Sequence, residues 1–144
     1  MRAMGLDVGT KTVGVAIADE LGFSAQPITT LRRTNLKADL AAVAQLINEY
    51  GVTHLVVGLA LNMNGSEGPR AEQCRKFGDA VAAGTTLNLI YWDERLTSVA
   101  AERSLIEADV SRARRKQVVD QVAAVFILQG WLEAQSRSRD GEPA

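Results

Sequence analysis

The sequence predicts an α/β fold in which a mixed five-stranded sheet carries helices on both faces. Two observations lead to this fold: three short strand-like segments with short links open the chain, and helical and strand-like segments alternate after residue 34. Sequential strands with short links form an antiparallel meander, and strands joined through helices run parallel. The 144 residues suffice for one domain, so we predict a single domain at 1–135 and a flexible polar tail at 136–144.

The opening segments read as an antiparallel meander. Residues 3–8 alternate so that Leu6 and Val8 share one face of a strand, which places Asp7 on the other. Residues 12–18 form the second strand after a Gly9-Thr10-Lys11 turn, which is short enough for a hairpin. Residues 24–31 form the third strand, and Pro27 favours an edge position because proline cannot donate to a sheet.

Helical spacing begins after Asn35, which can cap a helix that ends near Gly51. The apolar run 55–58 predicts a strand covered on both faces, and residues 87–92 predict a second parallel strand. A helix from about residue 71 to 84 separates them. Thr97 or Ser98 can cap a further helix to about residue 108, and Ser111 can cap a last one.

Composition excludes several classes of site. The formal charge of −1 carries no global nucleic-acid signature, so any basic surface must be local. Cys74 is the only cysteine, which fits a reducing cytosol, and no apolar segment approaches the roughly 20 residues of a membrane span. We therefore expect a cytoplasmic protein. His54 is the only histidine and reads as a strand-entry residue, so no zinc cluster is present, and no P-loop motif occurs.

Three acidic positions are candidates for chemistry. Asp7 lies in an apolar strand, where a carboxylate is costly unless it is compensated. The pair 93–94 follows the last strand, and sites in such sheets form beyond the carboxyl ends of parallel strands. Asp120 lies in the last helix, downstream of a basic cluster formed by Arg112, Arg114, Arg115 and Lys116. Taken singly, each has a structural interpretation: Asp7 as a buried structural acid and the pair 93–94 as part of a surface ion-pair cluster. Asp120 taken alone is better explained as an exposed helix acid.

Together the acids indicate a metal-dependent nuclease. Phosphodiester hydrolysis commonly uses two divalent ions about 3.5–4 Å apart. Hard ions such as Mg²⁺ or Mn²⁺ take oxygen ligands and keep several waters, so a few carboxylates suffice. The basic cluster would then hold the phosphates that flank the reacting bond.

Four sequence blocks resemble the YqgF/RuvX family of bacterial RNase H-like proteins. The blocks are 7–11 (DVGTK), 57–65 (VGLALNMNG), 93–98 (DERLTS) and 120–128 (DxxAAxxIL). They occur in the family's order, and the resemblance spans about residues 3 to 133. Members are described as nucleases that process the 5′ end of pre-16S rRNA and as Holliday junction resolvases. The resemblance therefore implies an RNase H-like nuclease domain.

Residue by residue, the resemblance implies a metal site formed by Asp7, Glu94 and Asp120, with Asp93 as the substitute for Glu94. It also implies phosphate contacts from Lys11, Arg95 and the basic cluster, and a substrate groove bordered by the loop that contains Asn62 and Asn64. Two positions depart from the family pattern. Ala60 stands where proline is common, which should loosen the loop entry, and Asn64 stands where aspartate is common, so we do not count it as a metal ligand.

Two other functions stay open at this stage. A non-catalytic nucleic-acid or ribosome-associated module would keep the fold and the basic surface. An actin-like phosphotransferase would use residues 7–11 as its phosphate hairpin. The substrate is open between RNA precursor, single-stranded DNA and branched DNA. A junction-cutting enzyme needs two sites and hence a symmetric dimer, for which Phe126, Ile127 and Trp131 are interface candidates, although core packing explains them equally well.

Overall fold

The computed structural model describes residues 1–95 and 112–139, with side chains at 1–95 and 121–136. The predicted helix at 97–108 and the Ser111 cap lie outside the described residues. The elements are β1 (Ala3–Val8), β2 (Thr12–Ala18), β3 (Ala25–Arg32), α1 (Leu36–Tyr50), β4 (His54–Leu59), α2 (Pro69–Ala82), β5 (Asn88–Asp93) and α3 (Arg112–Arg139).

The sheet has the predicted mixed architecture, with strand order β3-β2-β1-β4-β5. The pairs β1–β2 and β2–β3 are antiparallel, whereas β1–β4 and β4–β5 are parallel. Pro27 lies on edge strand β3, as predicted, and the register shifts opposite it, between Val15 and Ala16. β1 is therefore central, with β4 beside it and β5 one strand further out.

Helices cover both faces of this sheet. On one face, α1 and α2 pack on the even-numbered residues of β1, and this core includes Leu6, Val43 and Phe77. On the other face, α3 packs so closely that a Cβ on Gly5 would lie 2.8 Å from Leu128 Cβ and 2.9 Å from the Ala124 carbonyl oxygen. Residue alternation then puts Asp7 on the α3 side of the sheet.

The helix ends follow local sequence signals. The Asn35 side chain accepts a 2.9 Å hydrogen bond from the Ala38 amide, and Gly51 ends α1 with φ of 63°. The last helix continues to Arg139, so the predicted tail at 136–144 is helical over its first four residues, and 140–144 lie outside the described residues. None of the described helices combines the length and apolarity that crossing a bilayer requires.

Two of the three apolar candidates on α3 belong to the core. Ile127 and Trp131 are 0% and 5% exposed and pack against β-strand residues such as Val56. Phe126 is 37% exposed and faces outward. Core packing therefore explains Ile127 and Trp131, and only Phe126 stays available as an interface residue. His54 opens β4, as predicted, and its ring contacts the Thr53 hydroxyl at 2.8 Å.

Candidate active site

The carboxyl ends of β1, β4 and β5 bring Asp7 and Glu94 into contact. Asp7 lies near the end of β1, and Glu94 follows the last residue of β5. The Glu94 amide donates to the carbonyl oxygen of Leu59 at 3.2 Å, so the chain turns across the end of β4. The Glu94 side chain reaches back over β4 and forms a hydrogen bond with the Asp7 side chain. Two of the three predicted acids thus share one site.

Gly58 makes this reach possible. A Cβ at this position would collide with the Glu94 carboxyl group and with the end of the Ile127 side chain. Any residue larger than glycine at position 58 would therefore push Glu94 away from Asp7 or lift α3 from the sheet. The glycine of the 57–65 block thus has a steric reason to be there: it leaves space for a carboxylate from the neighbouring strand.

The environment of Glu94 favours its protonated form. Burial, the charge of Asp7 and their hydrogen bond raise the pKa of Glu94 to about 8, while the guanidinium of Arg70 opposes the rise. Two adjacent carboxyl groups cannot both ionise cheaply, so the pair holds one proton between them at neutral pH. Such a pair is a place where a cation can replace a proton.

Arg70 is a candidate site residue that the sequence analysis did not predict. It lies in the first turn of α2, and its Nη2 donates to the carbonyl oxygen of Val8 at 3.3 Å. Its positive charge lowers the pKa of Glu94, so Arg70 is a cation close to the acidic pair. The one available signal was its place directly after the polar loop at residues 62–68, since loop ends at this edge of the sheet converge on the site.

Asp93 and Arg95 pair with each other beside the acidic pair. The Arg95 Nη2 to Asp93 Oδ2 distance is 2.6 Å, and both side chains are exposed. The Arg95 guanidinium lowers the pKa of Asp93. The contact to Asp7 is therefore made by Glu94, and Asp93 stays an ionised neighbour. Arg95 also donates to the Met63 carbonyl oxygen at 3.4 Å, which ties the segment after β5 to the polar loop.

The polar loop is ordered by its own asparagines. The Asn64 Oδ1 accepts from the Ser66 amide at 3.0 Å and from the Ser66 hydroxyl at 2.6 Å. The Asn62 Nδ2 donates to the same hydroxyl oxygen at 3.0 Å. Both amides therefore fix the loop's conformation at the edge of the site. The exposed Lys11 lies in the β1–β2 turn.

Asp120 and the basic cluster lie on the first turns of α3, and their side chains are outside the described residues. The backbone gives the register of Asp120: it precedes Ala124, which contacts Gly5, by four residues and Ile127, which contacts Gly58, by seven. These spacings put the three residues on one helix face. Within residues 1–95 and 121–136, no three His, Cys, Asp or Glu side chains are grouped so as to hold a metal.

Comparison with known proteins supports the family predicted from the four blocks. The RuvX family model, described as Holliday junction resolvase, matches residues 1–134. The chain belongs to the RuvX family. A relative from Myxococcus xanthus named "Putative pre-16S rRNA nuclease" is 66% identical over 134 residues, which cover 93% of this chain and 89% of that protein. A RuvX relative of the same name from Moorella thermoacetica is 61% identical over 133 residues, with coverages of 92% and 95%.

Solved structures confirm the predicted RNase H-like fold. Thermus thermophilus RuvC, solved in complex with Holliday junction substrate, aligns with a TM-score of 0.62 at 14% identity, covering 94% of this RuvX chain and 96% of that one. The fowlpox virus Holliday junction resolvase aligns with a TM-score of 0.56 at 15% identity, with coverages of 93% and 99%. At such identities the likeness concerns the fold alone.

Proposed function

We propose that the chain is a metal-dependent nuclease that hydrolyses phosphodiester bonds of nucleic acid in the cytoplasm. The contact between Asp7 and Glu94 at the carboxyl edge of the sheet carries this proposal. Membership of a family whose model is described as Holliday junction resolvase supports the same activity.

The residues present suit a hard divalent cation. Both side chains offer carboxylate oxygens, the donors that Mg²⁺ and Mn²⁺ prefer. A bound cation can replace the proton that the pair holds. The positive charge of Arg70, at the start of α2, already favours the ionised form of Glu94. Asp7 and Glu94 would hold the metal, with Asp120 as the third ligand from the face of α3 that packs on Gly5. Two such ions, when bound, supply Lewis-acid charge at the scissile phosphate and the leaving oxygen.

The chain's other residues would position the substrate. Arg70 lies beside the acids, so its guanidinium suits the phosphate next to the scissile one. Lys11 in the β1–β2 turn and the basic cluster on α3 would neutralise phosphates further along the strand. These contacts carry no base preference, so binding should fall steeply as salt rises.

We propose precursor rRNA as the first substrate, because two relatives over 60% identical are named for pre-16S rRNA. Junction DNA is the second candidate, because the family model is described as Holliday junction resolvase. The second candidate requires a symmetric dimer with two sites.

A cleavage panel tests the proposal. Labelled pre-16S rRNA 5′ fragment, single-stranded DNA and four-way junction DNA are incubated with Mg²⁺ or Mn²⁺. Asp7→Asn, Glu94→Gln and Asp120→Asn should each lose at least about 100-fold in rate, as expected when a group that acts in the transition state is removed. Glu49→Gln, an exposed acid on α1, is the matched control and should keep the parent rate.

The rival functions give different results in the same panel. Cleavage by Asp7→Asn at the parent rate, from protein free of host nucleases, would overturn the site. Tight binding without cleavage of any substrate would favour the non-catalytic module. Saturable ATP binding by calorimetry without nuclease activity would favour the actin-like phosphotransferase.

A further inference from the structure

A cavity of about 430 Å³ lies between the β1–β2 turn, the start of α1 and the side of α2, on the face of the sheet that α1 and α2 cover. Thr10 from the turn and Asn35 at the α1 N-terminus contribute to its wall, with Gln73 and Lys76 from α2. Its volume lies within the roughly 300–1,000 Å³ typical of pockets that take small ligands. Nothing in the proposed chemistry uses it.

Arg33 fixes this cavity to the turn that follows Asp7. Its Nη1 donates to the Gly9 carbonyl oxygen at 2.9 Å, and its guanidinium lies 5.1 Å from the centre of the Phe77 ring. Its Nε contacts Asp39 Oδ2 at 3.1 Å, and Asp39 is only 7% exposed. The cavity therefore has a rigid wall held by the hairpin, α1 and α2 at once. Gly9 is two residues past Asp7, which is roughly 7 Å of extended chain.

The charges of the cavity favour a phosphate. Arg33 and Asp39 compensate each other, so the exposed ammonium of Lys76 leaves the lining with one net positive charge. The N-terminal end of the 15-residue helix α1 opens into the same space and adds the positive end of its dipole. Gln73 and Thr10 add polar groups that can donate and accept, while Leu36, which is 38% exposed at the start of α1, supplies an apolar surface.

We propose that this cavity binds one unpaired nucleotide of the substrate strand, in the segment that flanks the scissile bond. The phosphate would lie near Lys76 and the start of α1, and the sugar and base would fill the remaining space. A base paired in a duplex cannot enter a pocket walled by two helices and a hairpin, so the subsite selects a strand that is single-stranded at this position. This inference rests on the proposed nuclease function and narrows its substrate class to strands with an unpaired flank.

Binding measurements test the subsite with variants that change the charge of the cavity and with variants that fill its volume. Fluorescence anisotropy with a labelled single-stranded RNA, in EDTA and in the Asp7→Asn background, removes cleavage from the readout. Lys76→Glu should raise the Kd at least about tenfold and lower the salt slope by about one. Lys37→Glu, an exposed lysine on α1 that does not line the cavity, should change the Kd less than threefold.

Filling the cavity gives an independent test. Gln73→Trp should weaken single-strand binding at least fivefold, whereas Gln45→Trp, an exposed glutamine of α1 outside the cavity, should leave it unchanged. Blunt duplex RNA should bind the parent and Gln73→Trp equally. Circular dichroism melts confirm that each variant is folded.

The outcomes separate this inference from the proposed function. Equal effects of the two lysine variants, or of the two tryptophan variants, would overturn the subsite even if the parent cleaves RNA. A chain that never cleaves but shows both differences would support the subsite and refute the nuclease. AMP or inorganic phosphate that binds more tightly than the RNA would assign the cavity to a free small molecule and overturn the proposal.

Discussion

Asp7→Asn should stabilise the metal-free protein at alkaline pH while it abolishes cleavage. In the parent, burial and Asp7 raise the pKa of Glu94 from 4.5 to about 8. The folded state then holds a proton between pH 4.5 and 8 that the unfolded state has lost. Because stability falls with pH wherever the folded state binds more protons, this group costs stability progressively across that window.

The size of this loss in unfolding free energy follows from the shift in the pKa of Glu94. At about 1.4 kcal/mol per pH unit, a rise from 4.5 to about 8 corresponds to roughly 4–5 kcal/mol lost by pH 9. Burial is the largest cause and the charge of Asp7 the second, so removing that charge should recover a part of this loss, on the order of 1–2 kcal/mol. An asparagine amide at position 7 can also donate a hydrogen bond to the ionised Glu94.

Urea unfolding in EDTA at pH 5 and pH 9 measures this effect. The unfolding free energy of the parent should fall more steeply than that of Asp7→Asn, and Glu49→Gln should follow the parent. Taking the difference between variants cancels groups that both share, including His54, whose pKa is lowered by burial. Parallel pH profiles for the parent and Asp7→Asn would refute the argument that Asp7 and Glu94 are electrostatically linked.

Three further substitutions test other parts of the site. Gly58→Ala should destabilise the fold by about 1–3 kcal/mol and lower kcat at least tenfold, because its Cβ displaces the Glu94 carboxyl group; urea unfolding and single-turnover cleavage measure the two effects. Arg70→Met should raise the pKa of Glu94 further, because it removes the opposing cation, so the pH profile of cleavage should move to higher pH; an unmoved profile would show that Arg70 does not act on Glu94. Asn64→Ala removes both hydrogen bonds from Ser66 and should raise KM about three- to tenfold with little change in kcat; a fall in kcat alone would contradict a role in loop order.

The sequence predicted those features that depend on local pattern. Alternation along residues 3–8 predicted that Asp7 lies on the other face of the sheet from Leu6, because successive side chains in a strand point to opposite faces. Pro27 predicted the edge strand because a missing amide is tolerated only there. The family blocks then named Glu94 ahead of Asp93, and the turn at Leu59 is the physical reason that Glu94 reaches Asp7.

The features that the sequence did not predict depend on contacts between segments that are far apart in the chain. Arg70 lies next to Glu94 only because α2 begins at the end of β1, which no periodicity in the sequence reports. The asparagines of the polar loop were predicted to border a groove, and their amides turn out to order the loop through Ser66. The cavity beside Arg33 is built from segments up to 67 residues apart, Thr10 and Phe77 among them, so local signals could not find it.

The close fit of α3 against Gly5 and Gly58 has a consequence for the order in which the protein becomes active. The helix that seals this face is made after both strands and both acids of the contact described above. Under the proposed function, a nascent chain that lacks residues 112–139 has one uncovered face of the sheet and no third ligand. A protein that cuts ribosomal RNA would thus stay inert throughout its own synthesis and gain cutting ability only once the final helix docks.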